Sequence, residues 1–138
     1  MKKKKYIIFV FALIIMNISL SSCEKLNLEH EEARNIIIEN IDFTKLNVGE
    51  YTGYYAGGMY GWRENECRIL IEELNNDTNR VVTIELISSK SDYTKQFLDT
   101  LYNRVITKQS LQIDAVSGAT LDSKACLKAV ENALIKAE

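Results

Sequence analysis

The chain has 138 residues, of which 46% are hydrophobic and 26% are charged, a composition typical of one globular domain with a buried core. Apart from the four lysines at positions 2–5, the chain has 13 basic and 19 acidic residues, so residues 24–138 carry a net charge of −6. This acidic balance, with no cluster of Lys and Arg, argues against a nucleic-acid partner. One histidine and three cysteines are too few for a disulfide framework or a zinc site, and nothing in the sequence indicates a metal.

The N-terminus has the form of a targeting signal. The lysines precede an apolar run from Tyr6 to Met16, which as a helix rises only about 16 Å, short of the ~30 Å hydrocarbon core. The segment LSSC (20–23) resembles the bacterial lipobox, which implies cleavage before Cys23 and a diacylglycerol on its thiol. An ordinary secretory signal with an incidental cysteine is the alternative. We therefore expect a lipoprotein signal peptide over residues 1–22 and a membrane-anchored, extracytoplasmic protein, periplasmic or at the cell surface.

The next segment, residues 23–47, is interpreted as a lipid-anchored tether followed by a short helix. Residues 24–32 are polar and acidic, and His30 is expected to be solvated among them. Ala33, Ile37 and Ile41 have helical spacing and predict one helix from Glu31 to Phe43.

A small antiparallel sheet is predicted for the middle of the chain. The stretch GEYTGYYAGGMYGW (49–62) combines five aromatic residues with five glycines, as expected for a strand, a bend and the start of another strand. Two alternating apolar runs flank the turn-forming residues 75–79 and predict an antiparallel pair. The residues expected to alternate toward one face are Cys67, Ile69 and Ile71, and then Val82, Ile84 and Leu86.

Two helices are predicted for the C-terminal third. Ser91 is a candidate N-cap for the first, whose apolar face carries Tyr93, Phe97, Leu101 and Val105. The second is predicted to begin near Asp122 or Ser123, with an apolar stripe of Cys126, Ala129, Val130, Ala133, Leu134 and Ala137. The predicted fold class is α+β, a small antiparallel sheet with helices packed on one face. Cys67 and Cys126 are expected to be buried thiols, and a single bridge between them stays open.

A turn of small residues precedes the last helix and permits two interpretations. Thr120 or Ser123 can cap the helix, which contributes about 1 kcal/mol, with Gly118 supplying an unusual backbone angle. Alternatively, the unpaired N–H groups and positive dipole end of the helix favour an anion, so a phosphate held covalently by the Thr120 hydroxyl would be well placed. The residue types alone leave both interpretations open.

The segment DAVSGAT (114–120) resembles the flavinylation motif of the FMN-binding domain family: an aspartate, two variable residues, Ser or Thr, Gly, Ala or Ser, and the modified Thr. This family includes flavin-bearing subunits of sodium-translocating NADH:quinone reductase and of related electron-transport complexes. The continuation LDS (121–123) and the upstream GEYTG (49–53) are also similar to family segments. The resemblance therefore covers roughly residues 48–137, and an FMN-binding domain is expected over residues 48–138.

The resemblance implies that an FAD-dependent, metal-requiring flavin transferase esterifies Thr120 to the phosphate of FMN. It further implies that the recognition sequence and the walls of the phosphate site comprise Asp114, Ser117, Gly118 and Ala119. Where family members carry a His-containing segment after the second strand, this chain has SSKSD (88–92). An isoalloxazine ring needs an aromatic wall, for which the candidates are Tyr51, Tyr54 and Tyr55, then Tyr60 and Trp62. These aromatic residues can equally fill the core.

The resulting expectation is a membrane-tethered, extracytoplasmic electron-transfer flavoprotein with covalent FMN that passes electrons between redox partner proteins. The sequence favours an electron carrier over a turnover enzyme, and no catalytic residue is assigned. One alternative is a lipoprotein adaptor of the same fold without flavin. Another is a flavin-dependent reductase with a small-molecule acceptor.

Overall fold

The computed structural model describes residues 22–74 and 78–138. Its elements in chain order are α1 (22–34), a 3-10 turn (Phe43–Lys45), β1 (Gly49–Tyr55), β2 (Asn65–Glu73), β3 (Asn79–Ser89), α2 (Lys95–Lys108), α3 (Thr120–Leu134) and a second 3-10 turn (Ile135–Ala137). The signal-peptide prediction, apart from residue 22, and residues 75–77 of the predicted turn lie outside the described residues. No helix within the described ranges is long and apolar enough to cross a bilayer.

The three strands form one antiparallel sheet in the order β1-β2-β3. Helix α3 packs against β1 and β2, while α2 packs against β3. Buried residues of both helices and of the strands belong to a single hydrophobic cluster. The predicted α+β class, with the last helix following the small-residue turn, is confirmed.

The alternation predicted for β2 is confirmed, whereas that for β3 is wrong at one end. Cys67, Ile69 and Ile71 are all fully buried. On β3, the pairs Leu70–Thr83 and Ile71–Val81 flank a register shift, which leaves Val82 as the extra residue of a bulge. Because a bulge reverses the alternation, Val81 rather than Val82 is buried in the core.

Helix α3 approaches β1 unusually closely at Gly53. A Cβ atom on this glycine would lie 1.9 Å from the carbonyl oxygen of Ala129 and 2.4 Å from the backbone nitrogen of Ala133. The two backbones can pack at this distance only because no side chain separates them. The predicted apolar stripe is confirmed, since all six of its residues are buried, five in α3 and Ala137 in the 3-10 turn that follows.

The predicted helix over residues 31–43 is wrong in its position. Helix α1 covers residues 22–34, so the whole segment 24–32 that was interpreted as a tether is helical, and Glu29 and Ala33 are buried. The three consecutive isoleucines 36–38 are β-branched and have lower helix propensity. The carbonyls of the first two bind lysines of α3 instead, Ile36 O accepting from Lys124 Nζ at 3.2 Å and Ile37 O from Lys128 Nζ at 3.2 Å.

The N-cap of α2 is Thr94, and the prediction of Ser91 is wrong. The Thr94 side chain accepts a hydrogen bond from the backbone N–H of Phe97 at 3.2 Å. Ser91 instead donates its hydroxyl proton to the carbonyl oxygen of Trp62 at 3.3 Å. The predicted apolar face is otherwise present, with Leu101 and Val105 buried.

The two core cysteines are free thiols. Cys67 on β2 and Cys126 on α3 are fully buried and unbridged, in agreement with the expectation of buried thiols. Burial raises the pKa of each thiol to about 12. Both therefore stay protonated and serve as small apolar residues of the core.

Candidate functional site

The N-terminus of α3 has no side-chain cap. The helix begins at Thr120, earlier than predicted, and its N-cap residue is Ala119, which offers no capping oxygen. The prediction that Thr120 or Ser123 acts as the cap is wrong. Ser123 is buried, donates its hydroxyl proton to Ala119 O at 2.8 Å and accepts from Val116 N at 3.0 Å, so it fastens the preceding turn.

Thr120 is exposed at this uncapped end. Within the described residues its hydroxyl makes no hydrogen bond, so it serves no local structural purpose that the fold displays. The backbone N–H groups of the first turn lack intrahelical acceptors and, with the helix dipole, create positive potential beside the hydroxyl. Thr120 thus combines an accessible nucleophilic oxygen with a place for an anion.

Gly118 gives the turn its shape and leaves the approach open. Its φ angle is +76°, in the left-handed region that residues with a side chain rarely adopt. A Cβ on this residue would meet no atom within 4 Å, so space is not the reason for glycine here. The hydrogen bond from Ala119 N to Val116 O, at 3.0 Å, closes the turn.

The segment that leads into the turn is held by α2. Arg104 donates from Nη1 to the carbonyl oxygens of Asp114 at 2.8 Å and Ala115 at 3.0 Å. The Asp114 side chain itself is exposed and forms no hydrogen bond with other described residues. This exposure leaves its carboxylate available to a partner protein, in line with the predicted recognition role, which stays a prediction.

A cleft of about 430 Å³ opens beside Thr120 and has two arginines in its lining. It is lined by Arg34, Arg63 and residues 118–122. Arginine presents a planar set of donors that matches a phosphate, and the helix N-terminus adds backbone donors from the same side. The donor set fits a phosphate group esterified at Thr120.

The two arginines have different surroundings. Arg63 is mostly buried and forms ion pairs with Glu29 of α1 and, from Nε at 3.0 Å, with Asp122 Oδ1. Arg34 is exposed and has no ion-pair partner among the described residues. Arg34 is therefore the cation whose charge is available to an incoming anion, while Arg63 joins α1, the β1–β2 loop and α3 into one wall.

A second cleft, of about 300 Å³, lies on the other side of the turn. Its walls are residues 117–119 and the side chains Thr94, Gln96, Phe97, Thr100 and Val116. The apolar part is suited to a flat ring, and the hydroxyl and amide groups are suited to its polar edge. Gly118 and Ala119 line both clefts, so a molecule attached at Thr120 has a charged pocket and a mixed pocket within reach.

The predicted tyrosines lie away from both clefts. Tyr51 and Tyr55 are half-buried against the core, and Tyr54 is exposed on β1, where its carbonyl accepts from Asn132 near the C-terminal end of α3. None of the three lines either described cleft. The structure thus brings together Ser117, Gly118, Ala119 and Thr120, and adds Arg34, Arg63 and Phe97, which were not predicted.

In the described part of the chain, no group of three or more His, Cys, Asp or Glu side chains is arranged to hold a metal ion. The fold and the site define a small α+β domain with an uncapped helix N-terminus and an exposed threonine. The sequence model of the FMN-binding domain family matches residues 28–135, and the chain belongs to this family. No curated protein and no solved structure matches the chain. The match begins at residue 28, within α1, rather than at residue 48.

Proposed function

We propose that this FMN-binding protein is an extracytoplasmic electron-transfer flavoprotein, tethered to the membrane through Cys23, with FMN joined to Thr120 by a phosphoester. Family membership supports flavin binding. The covalent link is supported chiefly by one observation: Thr120 is an exposed, unbonded hydroxyl on an uncapped helix N-terminus beside Arg34 and Arg63.

Thr120 acts in this proposal as an acceptor for a separate FAD-dependent flavin transferase. Its Oγ1 forms a bond to the phosphorus of the FMN half of FAD, the pyrophosphate P–O bond breaks, and AMP leaves. The hydroxyl proton is released in the transferase site, and no electron is gained or lost. Since the transferase supplies the base, Thr120 needs no activating histidine within its own chain.

The residues around Thr120 then stabilise the phosphodiester. The N–H groups of the first turn of α3 and the Arg34 guanidinium offset its negative charge. Phe97 and Val116 give the neighbouring cleft an apolar wall that excludes water from a flat ring. The bound flavin supplies the one- and two-electron redox chemistry, and the protein sets its position and potential.

The attachment is tested by producing the full chain together with a flavin transferase and running a denaturing gel. We expect flavin fluorescence in the protein band and its loss in Thr120→Ala. Thr52→Ala, which removes an exposed threonine of β1, is the matched control and should retain fluorescence. A dark wild-type band with active transferase would favour the adaptor alternative.

The tether is tested separately with Cys23→Ser. We expect the wild-type protein to incorporate a labelled fatty acid and to fractionate with membranes, and the variant to incorporate none. Equal labelling of the two proteins would contradict lipidation at Cys23.

The carrier role is tested on the flavin-loaded protein. After a single chemical reduction, the flavin should be reoxidised by protein acceptors. Catalytic turnover with a panel of small-molecule oxidants should be slow. Sustained turnover of one small molecule would instead indicate a reductase.

A further inference from the structure

The loop between β1 and β2, residues 56–64, presents large apolar side chains to solvent. Met59 is 67% exposed and Trp62 is 42% exposed. The ring of Tyr60 stacks on that of Trp62, with their centroids 5.0 Å apart. We call residues 56–64 the aromatic loop. Its outer side chains contribute nothing to the core, and such an exposed apolar group commonly marks an interaction site.

The aromatic loop is a fixed structure. Gly58 and Gly61 have positive φ angles of 78° and 65°, and Gly61 N donates to Gly58 O at 3.0 Å. Gly57 lies so close to the chain that a Cβ there would be 2.1 Å from the backbone nitrogen of Glu64. The carbonyl oxygen of Trp62 accepts from Ser91 at 3.3 Å. The fold therefore holds the loop backbone in place, which lowers the ordering cost of binding.

Helix α1 connects this loop to the N-terminal segment. Glu32 Oε2 accepts from the backbone N–H of Met59 at 2.8 Å, and Glu29 pairs with Arg63. Cys23 lies nine residues before Glu32 in the same helix, a separation of about 14 Å along the helix axis. Whatever holds Cys23 at a membrane thus holds the aromatic loop within about 14 Å of the anchor, measured along the helix axis.

We propose that the aromatic loop docks into the interfacial layer of the lipid bilayer. Trp and Tyr are the residues favoured at the membrane–water interface, and Met59 adds a flexible apolar side chain beside them. Lys90 lies next to the loop and pairs with Glu64 at 2.7 Å, so its charge is balanced and zwitterionic lipid suffices. The tether raises the local concentration of lipid, which lets a small contact bind. This inference rests on the proposed tether and does not require flavin.

Docking would also place the candidate flavin site near the bilayer. Arg63 belongs to the aromatic loop and lines the cleft beside Thr120, so both features share one side of the domain. A flavin attached there would lie close to electron donors or acceptors that are embedded in the membrane.

The single tryptophan of the chain makes this contact measurable. The full-length gene product with Thr120→Ala, which cannot carry flavin and so leaves the emission undisturbed, is reconstituted with phosphatidylcholine vesicles. We expect a blue-shifted Trp62 emission and loss of most of that emission when the lipids carry bromine near the headgroup end of the acyl chain. Met59→Glu should abolish the bromolipid quenching, whereas Ile37→Glu, at a residue 77% exposed outside the loop, should preserve it.

Unquenched Trp62 emission in protein that floats with the vesicles would overturn the inference. A blue shift without bromolipid quenching would indicate contact between protein copies and would overturn it as well. Failure to float would contradict the tether and this inference together. The gel fluorescence of the wild-type protein tests the flavin independently of all three outcomes.

Discussion

The two ends of α3 use the same kind of residue for opposite purposes. At the C-terminal half, Ala129 and Ala133 pack directly on Gly53, and the backbones touch. At the N-terminal end, Gly118 and Ala119 lead to an exposed Thr120, and two clefts flank the turn. A small residue therefore allows close backbone contact at one end, whereas at the other it allows a positive φ angle in an open turn. The neighbouring elements account for this difference. The C-terminal half of α3 faces a strand backbone, and its N-terminal end lies beside arginine residues.

The largest expected effect on stability is that of Gly53→Ala. The new methyl would overlap the Ala129 carbonyl, so the helix must move off the sheet, and we expect a loss of more than about 3 kcal/mol in the free energy of unfolding. Gly118→Ala is the matched variant, because its methyl meets only open space and the cost, about 1–2 kcal/mol, comes from the positive φ alone. Urea unfolding curves measure both, and equal losses would contradict the comparison.

The second prediction distinguishes the contributions of the two arginines of the site to stability and to flavin incorporation. Arg63→Gln leaves the buried carboxylate of Glu29 without its partner, and we expect a loss of about 2–3 kcal/mol. Arg34→Gln removes an exposed, unpaired charge, so the change in stability should stay within about 0.5 kcal/mol, while flavin incorporation falls. The same unfolding assay and the in-gel fluorescence test this division. A stable Arg63→Gln variant would show that the Glu29 pair contributes little.

The third effect compares two hydroxyls three residues apart. Ser123→Ala removes the acceptor of Val116 N, and we expect a loss of about 1.5 kcal/mol. Thr120→Ala removes a hydroxyl with no partner among the described residues, so the free energy of unfolding should change by less than about 0.5 kcal/mol. If Thr120→Ala proved the more destabilising variant, its hydroxyl would be a structural cap and the open-end account would fail.

The smallest effect on stability is expected from Thr120→Cys. This variant tests how much more accessible position 120 is to a reagent than the two core cysteines are. A thiol at an exposed helix N-terminus has a lowered pKa and should react readily with iodoacetamide. Burial keeps Cys67 and Cys126 protonated until the pH approaches about 12, so below that pH they should react only when the protein unfolds. Peptide mapping after a brief exposure distinguishes these three sites from one another and from the exposed Cys23. Comparable labelling of all three would contradict the buried core.

Local patterns predicted much of the fold and the centre of the site. The alternation of β2, the stripe of α3 and the turn before Thr120 are properties of short segments, and each is present. The bulge at Val82 was not predictable, since it depends on the register of two strands. The end of α1 also depends on distant contacts, because the lysines that bind the carbonyls of Ile36 and Ile37, just beyond the helix, lie some 90 residues away in the chain.

The residues that form the charged wall of the site were likewise not predictable from local sequence patterns. Arg63 and Asp122 lie 59 residues apart in sequence, and no local pattern marks either as part of a cleft. Arg34 belongs to the segment 31–43, which was predicted only as a short helix beside the tether and not as part of a site. The tyrosines of β1 were proposed as ring walls because of residue type alone, while their strand positions put them elsewhere.

The central claim is tested most directly by mass analysis of the protein isolated from cells that also produce an active flavin transferase. The account predicts a gain of one FMN less one water, confined to the tryptic peptide of residues 109–124, with fragment ions that place it on Thr120. Unmodified Thr120 in that peptide, or a flavin on another residue, would contradict the account.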